Sequence, residues 1–68
     1  MTITVSGNRK EYPKGLTVEQ LIALENVDSP VYVTVMVNDS YIATEDRETR
    51  TLQDGDAVEF LYFMGGGG

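Results

Sequence analysis

The chain opens in strict alternation: Met1, Ile3 and Val5 fall on one face, Thr2, Thr4 and Ser6 on the other. That is the period of a half-buried strand. The Ser-Gly-Asn-Arg stretch that follows predicts a turn, with residues 9–12 returning as the second arm of a hairpin. Pro13 and Gly15 then interrupt the pattern. From Thr17 the period changes to that of a helix. Thr17 suits the N-cap, and Gln20 three residues later can complete a capping box. Leu16 and Leu21 stand where a hydrophobic staple would form, and Val18, Leu21, Ile22 and Leu24 supply an apolar stripe. The helix is short and is expected to end near Glu25 and Asn26.

Residues 31–37, Val-Tyr-Val-Thr-Val-Met-Val, have the β-branched content of a central strand. Val31, Val33, Val35 and Val37 share one face; Tyr32, Thr34 and Met36 share the other. Asn38 and Asp39 predict a turn before a short strand over residues 41–43. Residues 44–51 are polar without period, an irregular connection with room for one helical turn. Leu52 stands alone before Asp54-Gly55-Asp56, which reads as a tight turn, and residues 57–64 form the last strand. The order β-β-α-β-β-β, with one helix for several strands, predicts an α+β domain whose sheet is covered on one face. The valine face of the third strand is expected to meet the helix. In the last strand Glu59 is the costly residue to bury, so its face is expected to be the open one. Leu61 and Phe63 then join Met36 and Tyr32 if the third and fifth strands pair, and Met64 extends the patch. A contiguous apolar patch of this kind marks a partner surface.

Composition narrows the chemistry. Sixty-eight residues suffice for one domain with a modest core. The chain contains no Cys and no His, which removes disulfides, thiol nucleophiles, zinc-finger ligation and the usual base at neutral pH. Conventional catalysis by the chain itself is not expected, nor is a bound metal or cofactor. The net charge of −6 argues against nucleic acid, and no window has the roughly 20 apolar residues of a membrane span. The start lacks the apolar stretch of a signal peptide, so the default expectation is cytoplasmic. Seven of the 11 acidic residues follow position 38, and Asp54, Asp56 and Glu59 form an acidic flank that would steer the protein towards a basic partner.

Four glycines, Gly65, Gly66, Gly67 and Gly68, follow the most apolar stretch of the chain. A glycine run contributes almost nothing to a folded core. It suits a frayed terminus or a linker remnant, and it equally suits a threading tail.

The β-β-α-β-β-β order resembles the β-grasp, or ubiquitin-like, fold. Val-Met-Val-Asn at 35–38, Leu-Gln-Asp-Gly-Asp at 52–56, the hydrophobic strand at 58–64 and the final pair Gly67-Gly68 closely resemble the ThiS-type sulfur carriers of thiamin biosynthesis. Two features differ from that pattern: four glycines rather than two or three follow Met64, and residues 41–50 lack a Val-Pro-Arg type of segment. The resemblance implies a mixed sheet of four to five strands under one main helix over residues 1–64, with residues 65–68 as a flexible tail. It implies that the reactive group is the Gly68 carboxylate. A ThiF-like adenylating enzyme, using ATP and Mg²⁺, would activate it, and a persulfide donor would convert it to a thiocarboxylate. A ThiG-like thiazole synthase, or another acceptor, would then receive the sulfur. Gly65, Gly66 and Gly67 would thread into the partner; fully extended, the four glycines reach roughly 13–14 Å. Ordering them costs on the order of 1–2 kcal/mol each, which docking of the apolar patch would offset. The alternatives are a carrier for another pathway, including one resembling the MoaD-type small subunit of molybdopterin synthase, a ubiquitin-like modifier joined to lysines through Gly68, and a plain binding module with an inert tail.

Overall fold

The computed structural model describes residues 1–27 and 32–62. Val31, Phe63, Met64 and the four glycines, on which several sequence expectations fall, lie outside the described residues.

Strands β1 (Thr2–Val5) and β2 (Asn8–Glu11) form the first hairpin. Ser6 and Gly7, with φ of 49° and 85°, make the whole turn. Two successive left-handed residues give the connection whose twist matches that of the strands. The returning arm therefore begins one residue earlier than expected, with Asn8 opposite Val5. Helix α1 (Val18–Leu24) has both halves of its capping box. The Gln20 amide donates to Thr17 Oγ1 at 3.2 Å, and the Thr17 amide donates to Gln20 Oε1 at 3.0 Å. Strands β3 (Val33–Val37) and β4 (Ser40–Ile42) form the second hairpin around Asn38 and Asp39, both left-handed. A single 3-10 turn at Thr44–Asp46 follows, then β5 (Ala57–Tyr62).

The five strands lie in the order β2-β1-β5-β3-β4. β1 and β5 run parallel, and the other neighbours are antiparallel. Covering one face, Leu16, Val18, Leu21 and Ile22 join Ile3, Val5, Val33, Val35, Val37, Ile42 and Val58 in one buried cluster. The valine face of β3 thus meets the helix, as its alternation predicts. Leu16 and Leu21 are both buried, consistent with the staple.

One expectation is corrected, and two further placements are not visible in the local pattern. Leu24 does not belong to the core stripe: it is 55% exposed. At 100° per residue it lies about 160° around the helix from Ile22, off the sheet-facing arc. Leu52, an isolated apolar residue in the sequence, is a full member of the core at 2% exposure. Tyr62 shares the helix-facing register of Val58 and Phe60 but is 47% exposed, opposite Val33 at the end of the sheet.

The polar connection between β4 and β5 performs a task its composition conceals. The first-turn amides of a helix have no partners within the helix. Here the Val18 and Glu19 amides donate to the carbonyls of Arg50 and Arg47, each at 3.0 Å. The Leu52 amide donates to the Leu16 carbonyl at 2.8 Å. Arg47 is itself buried, its Nη2 donating to the Val33 carbonyl at 2.6 Å. The loop is thereby tied to both the helix and the sheet.

Candidate functional site

The face of the sheet away from α1 carries the candidate site. Side chains alternate along each strand, so this face takes Thr2 and Thr4 from β1, Arg9 and Glu11 from β2, and Ala57, Glu59 and Leu61 from β5. Thr34 and Met36 of β3 and Tyr41 of β4 complete it. Its β1–β2 half is polar. Its β5–β3–β4 half is apolar, broken by one carboxylate, that of Glu59.

The antiparallel pairing of β3 with β5 sets Leu61 opposite Thr34 and Glu59 opposite Met36. Of the residues expected in the patch, Met36 is half-buried, Leu61 is exposed, and Tyr32, just before β3, is 76% exposed. These three come together on the open face or at its margin; Phe63 and Met64 lie outside the described residues. Tyr41 was not among the expected patch residues, yet it sits opposite Met36 and is 60% exposed. The alternation of Tyr41 with buried Ile42 is the sequence signal that places it. Strand β5 reaches Tyr62 beside the start of β3, so the chain continues towards the glycines from the Tyr32 end of the sheet.

The two turn motifs quoted above prove to be one structure. Asn38 Nδ2 donates to Asp56 Oδ1 at 2.9 Å, and Asn38 Oδ1 accepts from the Ala57 amide at 2.9 Å. The other Asp56 oxygen accepts from the Gln53 amide at 2.8 Å. Asp54 Oδ1 accepts from the Thr2 amide at 2.7 Å, and Gly55 takes φ of 88°. Asp56 is only 7% exposed. The acidic flank expected from the sequence is therefore reduced: Asp56 is a buried turn-former, and Asp54 is engaged with the first strand. Of these three, Glu59 is the one left on the open face without a hydrogen bond or ion pair among the described residues.

A second polar cluster joins β2 to the end of α1. Tyr12 Oη donates to Glu25 Oε2, and Lys10 Nζ sits 2.9 Å from Glu25 Oε1. Burial, the hydrogen bond to Glu25 and the negative charge of that residue push the Tyr12 hydroxyl up to about 12. Burial alone would raise Glu25, but hydrogen bonds from Tyr12 and Lys10 and the Lys10 charge hold it below the usual carboxylate value. This cluster clasps the end of α1 to β2. Nearby, Pro13, Leu16, Ala23 and the exposed Leu24 line a shallow groove beside the helix. Among the described residues, no group of three or more acidic, His or Cys side chains is placed to hold a metal ion. No helix of the described residues is long and apolar enough to cross a membrane.

The ThiS family profile matches residues 3–67, from the first core residue of β1 into the glycines. The chain belongs to the ThiS family. The crystal structure of a thiamine biosynthesis protein (ThiS) from Geobacter metallireducens is 40% identical, with a TM-score of 0.89, over 96% of this chain and 97% of that one. The solution structure of a thiamine biosynthesis protein from the same organism is 41% identical, with a TM-score of 0.78, over 100% of this chain and 90% of that one. No curated protein matches the chain. The architecture is thus the ThiS β-grasp, and the Asn38–Asp56 junction is what this family member builds from its two turn motifs.

Proposed function

We propose that this ThiS-family chain is a sulfur carrier in thiamine biosynthesis, with residues 1–64 as the docking body and residues 65–68 as the reactive tail. The observation that carries the proposal is the family match running through Gly67, together with near full-length similarity to thiamine biosynthesis proteins. The Gly68 carboxylate is the reacting group, and the chain acts as a carrier rather than an enzyme. A carboxylate is a poor acyl donor until its oxygen is given a good leaving group. A ThiF-like enzyme holding ATP and Mg²⁺ supplies one: the carboxylate oxygen attacks the α-phosphorus, pyrophosphate leaves, and an acyl-adenylate forms. The terminal sulfur of a persulfide attacks the acyl carbon, expelling AMP. A thiol then cleaves the resulting S–S bond, releasing the Gly68 thiocarboxylate and a disulfide. The thiocarboxylate donates its sulfur to a ThiG-like thiazole synthase.

The tail suits this chemistry on steric grounds. Glycine has no Cβ to obstruct a narrow channel and adopts either sign of φ readily. The apolar half of the open face, with Tyr32, Met36, Leu61, Phe63 and Met64, docks the body at the channel mouth and offsets the ordering of the glycines.

The test is a C-terminal peptide map with accurate intact mass, after incubation with a ThiF-like enzyme, ATP, Mg²⁺, a persulfide donor and a thiol. Sulfur mapped to Gly68 is the expected result. The map is essential, because oxidation of a methionine nearly mimics the exchange of one oxygen for sulfur. Gly68 found in amide linkage to lysine would replace the proposal with a protein modifier. An unmodified tail, beside a known carrier converted in the same mixture, would end the carrier reading.

A further inference from the structure

Glu59 interrupts the apolar half of the open face, and nothing among the described residues compensates it. It lies opposite Met36, which lies opposite Tyr41, so the three form a row across β5, β3 and β4. Leu61 flanks it one step along the same face. The Glu59 carboxylate has no hydrogen bond or ion pair among the described residues, and residues 28–31 and 63–68 contain no basic side chain. Of the five basic residues, Lys10 bonds Glu25, Arg47 is buried against Val33, and Arg50 donates to the Thr51 carbonyl. Lys14 lines the groove beside α1, and Arg9 stands on β2 with β1 between it and β5.

A wholly apolar partner laid over this face would strand the Glu59 charge away from water. A second copy of the chain would bring another Glu59 and a further net charge of −6 onto the same surface. Both occupants are disfavoured by the same carboxylate. A guanidinium is favoured over an ammonium: its planar fork binds a carboxylate through two parallel hydrogen bonds, and it stacks on aromatic faces. The row from Glu59 to Tyr41 spans two strand spacings, about 9–10 Å. An arginine lying over Met36 fits there, its head on Glu59 and its stem against the thioether and the Tyr41 ring.

We propose that the open face receives a partner-protein surface that is apolar but presents one arginine, and that the arginine's pairing with Glu59 selects that partner. The inference rests on the sulfur-carrier reading above and names the recognition chemistry of its docking face. Titration calorimetry of the full chain against a ThiF-like activating enzyme, at low and high salt, tests it. Glu59→Gln is expected to weaken binding about 30-fold, and Glu59→Arg to weaken it further. The loss should persist at high salt, because a buried pair is screened far less than an exposed one. Thermal midpoints should stay unchanged, since the Glu59 side chain is exposed and makes no hydrogen bond or ion pair among the described residues. Arg9→Gln, on the polar half, should bind like wild type. Wild-type affinity for Glu59→Gln overturns the proposal. A loss confined to low salt overturns it too, because Glu59 would then act only as a long-range steering charge. A wild-type chain that self-associates through this face, and loses that association on Met36→Asp, also overturns it. If wild type fails to bind the enzyme at all, the sulfur-carrier reading itself falls, a result distinct from an unaffected Glu59→Gln.

Discussion

The two faces of the sheet are made from alternate residues of the same strands, yet they obey different rules. On the covered face, Ile3, Val5, Val33, Val35, Val37 and Val58 are all within 3% of full burial. All six share one buried cluster with Leu16, Val18, Leu21 and Ile22, so shape and volume matter there. On the open face, Thr34 and Met36 are half-buried and Tyr41, Glu59 and Leu61 are exposed. Removing a methylene from this face leaves no cavity. Stability is concentrated on one side of the sheet, and the proposed docking lies on the other. A sixty-eight-residue chain has little stability to spare, so keeping the two tasks on separate faces lets one vary without unfolding the other.

The contrast is broken most severely at its buried side. Leu21→Ala, at a position with no exposure, is expected to cost about 2–5 kcal/mol through lost transfer energy and a residual cavity. Chemical denaturation should show it as a lower midpoint with an unchanged slope. Asp56→Ala comes next, at about 1–3 kcal/mol. It orphans Asn38 Nδ2 and the Gln53 amide together, and hydrogen exchange should accelerate at both turns but not in β1–β2. Tyr12→Phe, at about 1–2 kcal/mol, removes the hydroxyl donor of Glu25.

The pH profile sharpens that third case. Glu25 is depressed in the folded state, so its contribution is present above the ordinary carboxylate value and is lost as pH falls through its folded value. Tyr12 is raised from 10.0 to about 12, so its contribution is full below pH 10.0 and is lost as pH rises towards about 12. Wild type should therefore lose stability at both extremes, and Tyr12→Phe should show weaker dependence on both arms in melting curves. A Tyr12→Phe profile parallel to wild type would remove the clasp from the account. At the bottom of the scale, Leu61→Ser and Met36→Ser on the open face should change stability by no more than about 0.5 kcal/mol. Both should still impair binding to a ThiF-like enzyme, which is the reverse of the Leu21→Ala pattern.

Much of the architecture is legible from local patterns. The period-2 alternation of β1 and β3 sets which side chains face the helix, and the Thr17–Gln20 pair announces the start of α1. The left-handed Ser6-Gly7 and Asn38-Asp39 turns are short-range steric choices that the residue types themselves favour. The patch residues Tyr32, Met36 and Leu61 are readable because a carboxylate at 59 identifies the open face of β5. Tyr41 does not stand out in the sequence, because its place opposite Met36 depends on the register of β4 against β3. The apolar stripe overstates Leu24, whose angular position on α1 turns it away from the sheet.

Residue types and their spacing thus determined the elements, their caps and turns, the helix-facing stripe of each strand and the glycine ending, because each depends on contacts within a few residues. The tertiary structure alone decided that Leu52 is core, that Arg47 is buried, and that Asp56 holds Asn38 rather than waiting for a partner. It alone paired β5 with both β1 and β3, and so brought Glu59, Met36 and Tyr41 into one row. Those outcomes depend on carbonyls, amides and side chains far apart in the chain, 52 positions in the Thr2–Asp54 bond. Backbone groups are the same in every residue, so no local sequence pattern marks which of them will meet.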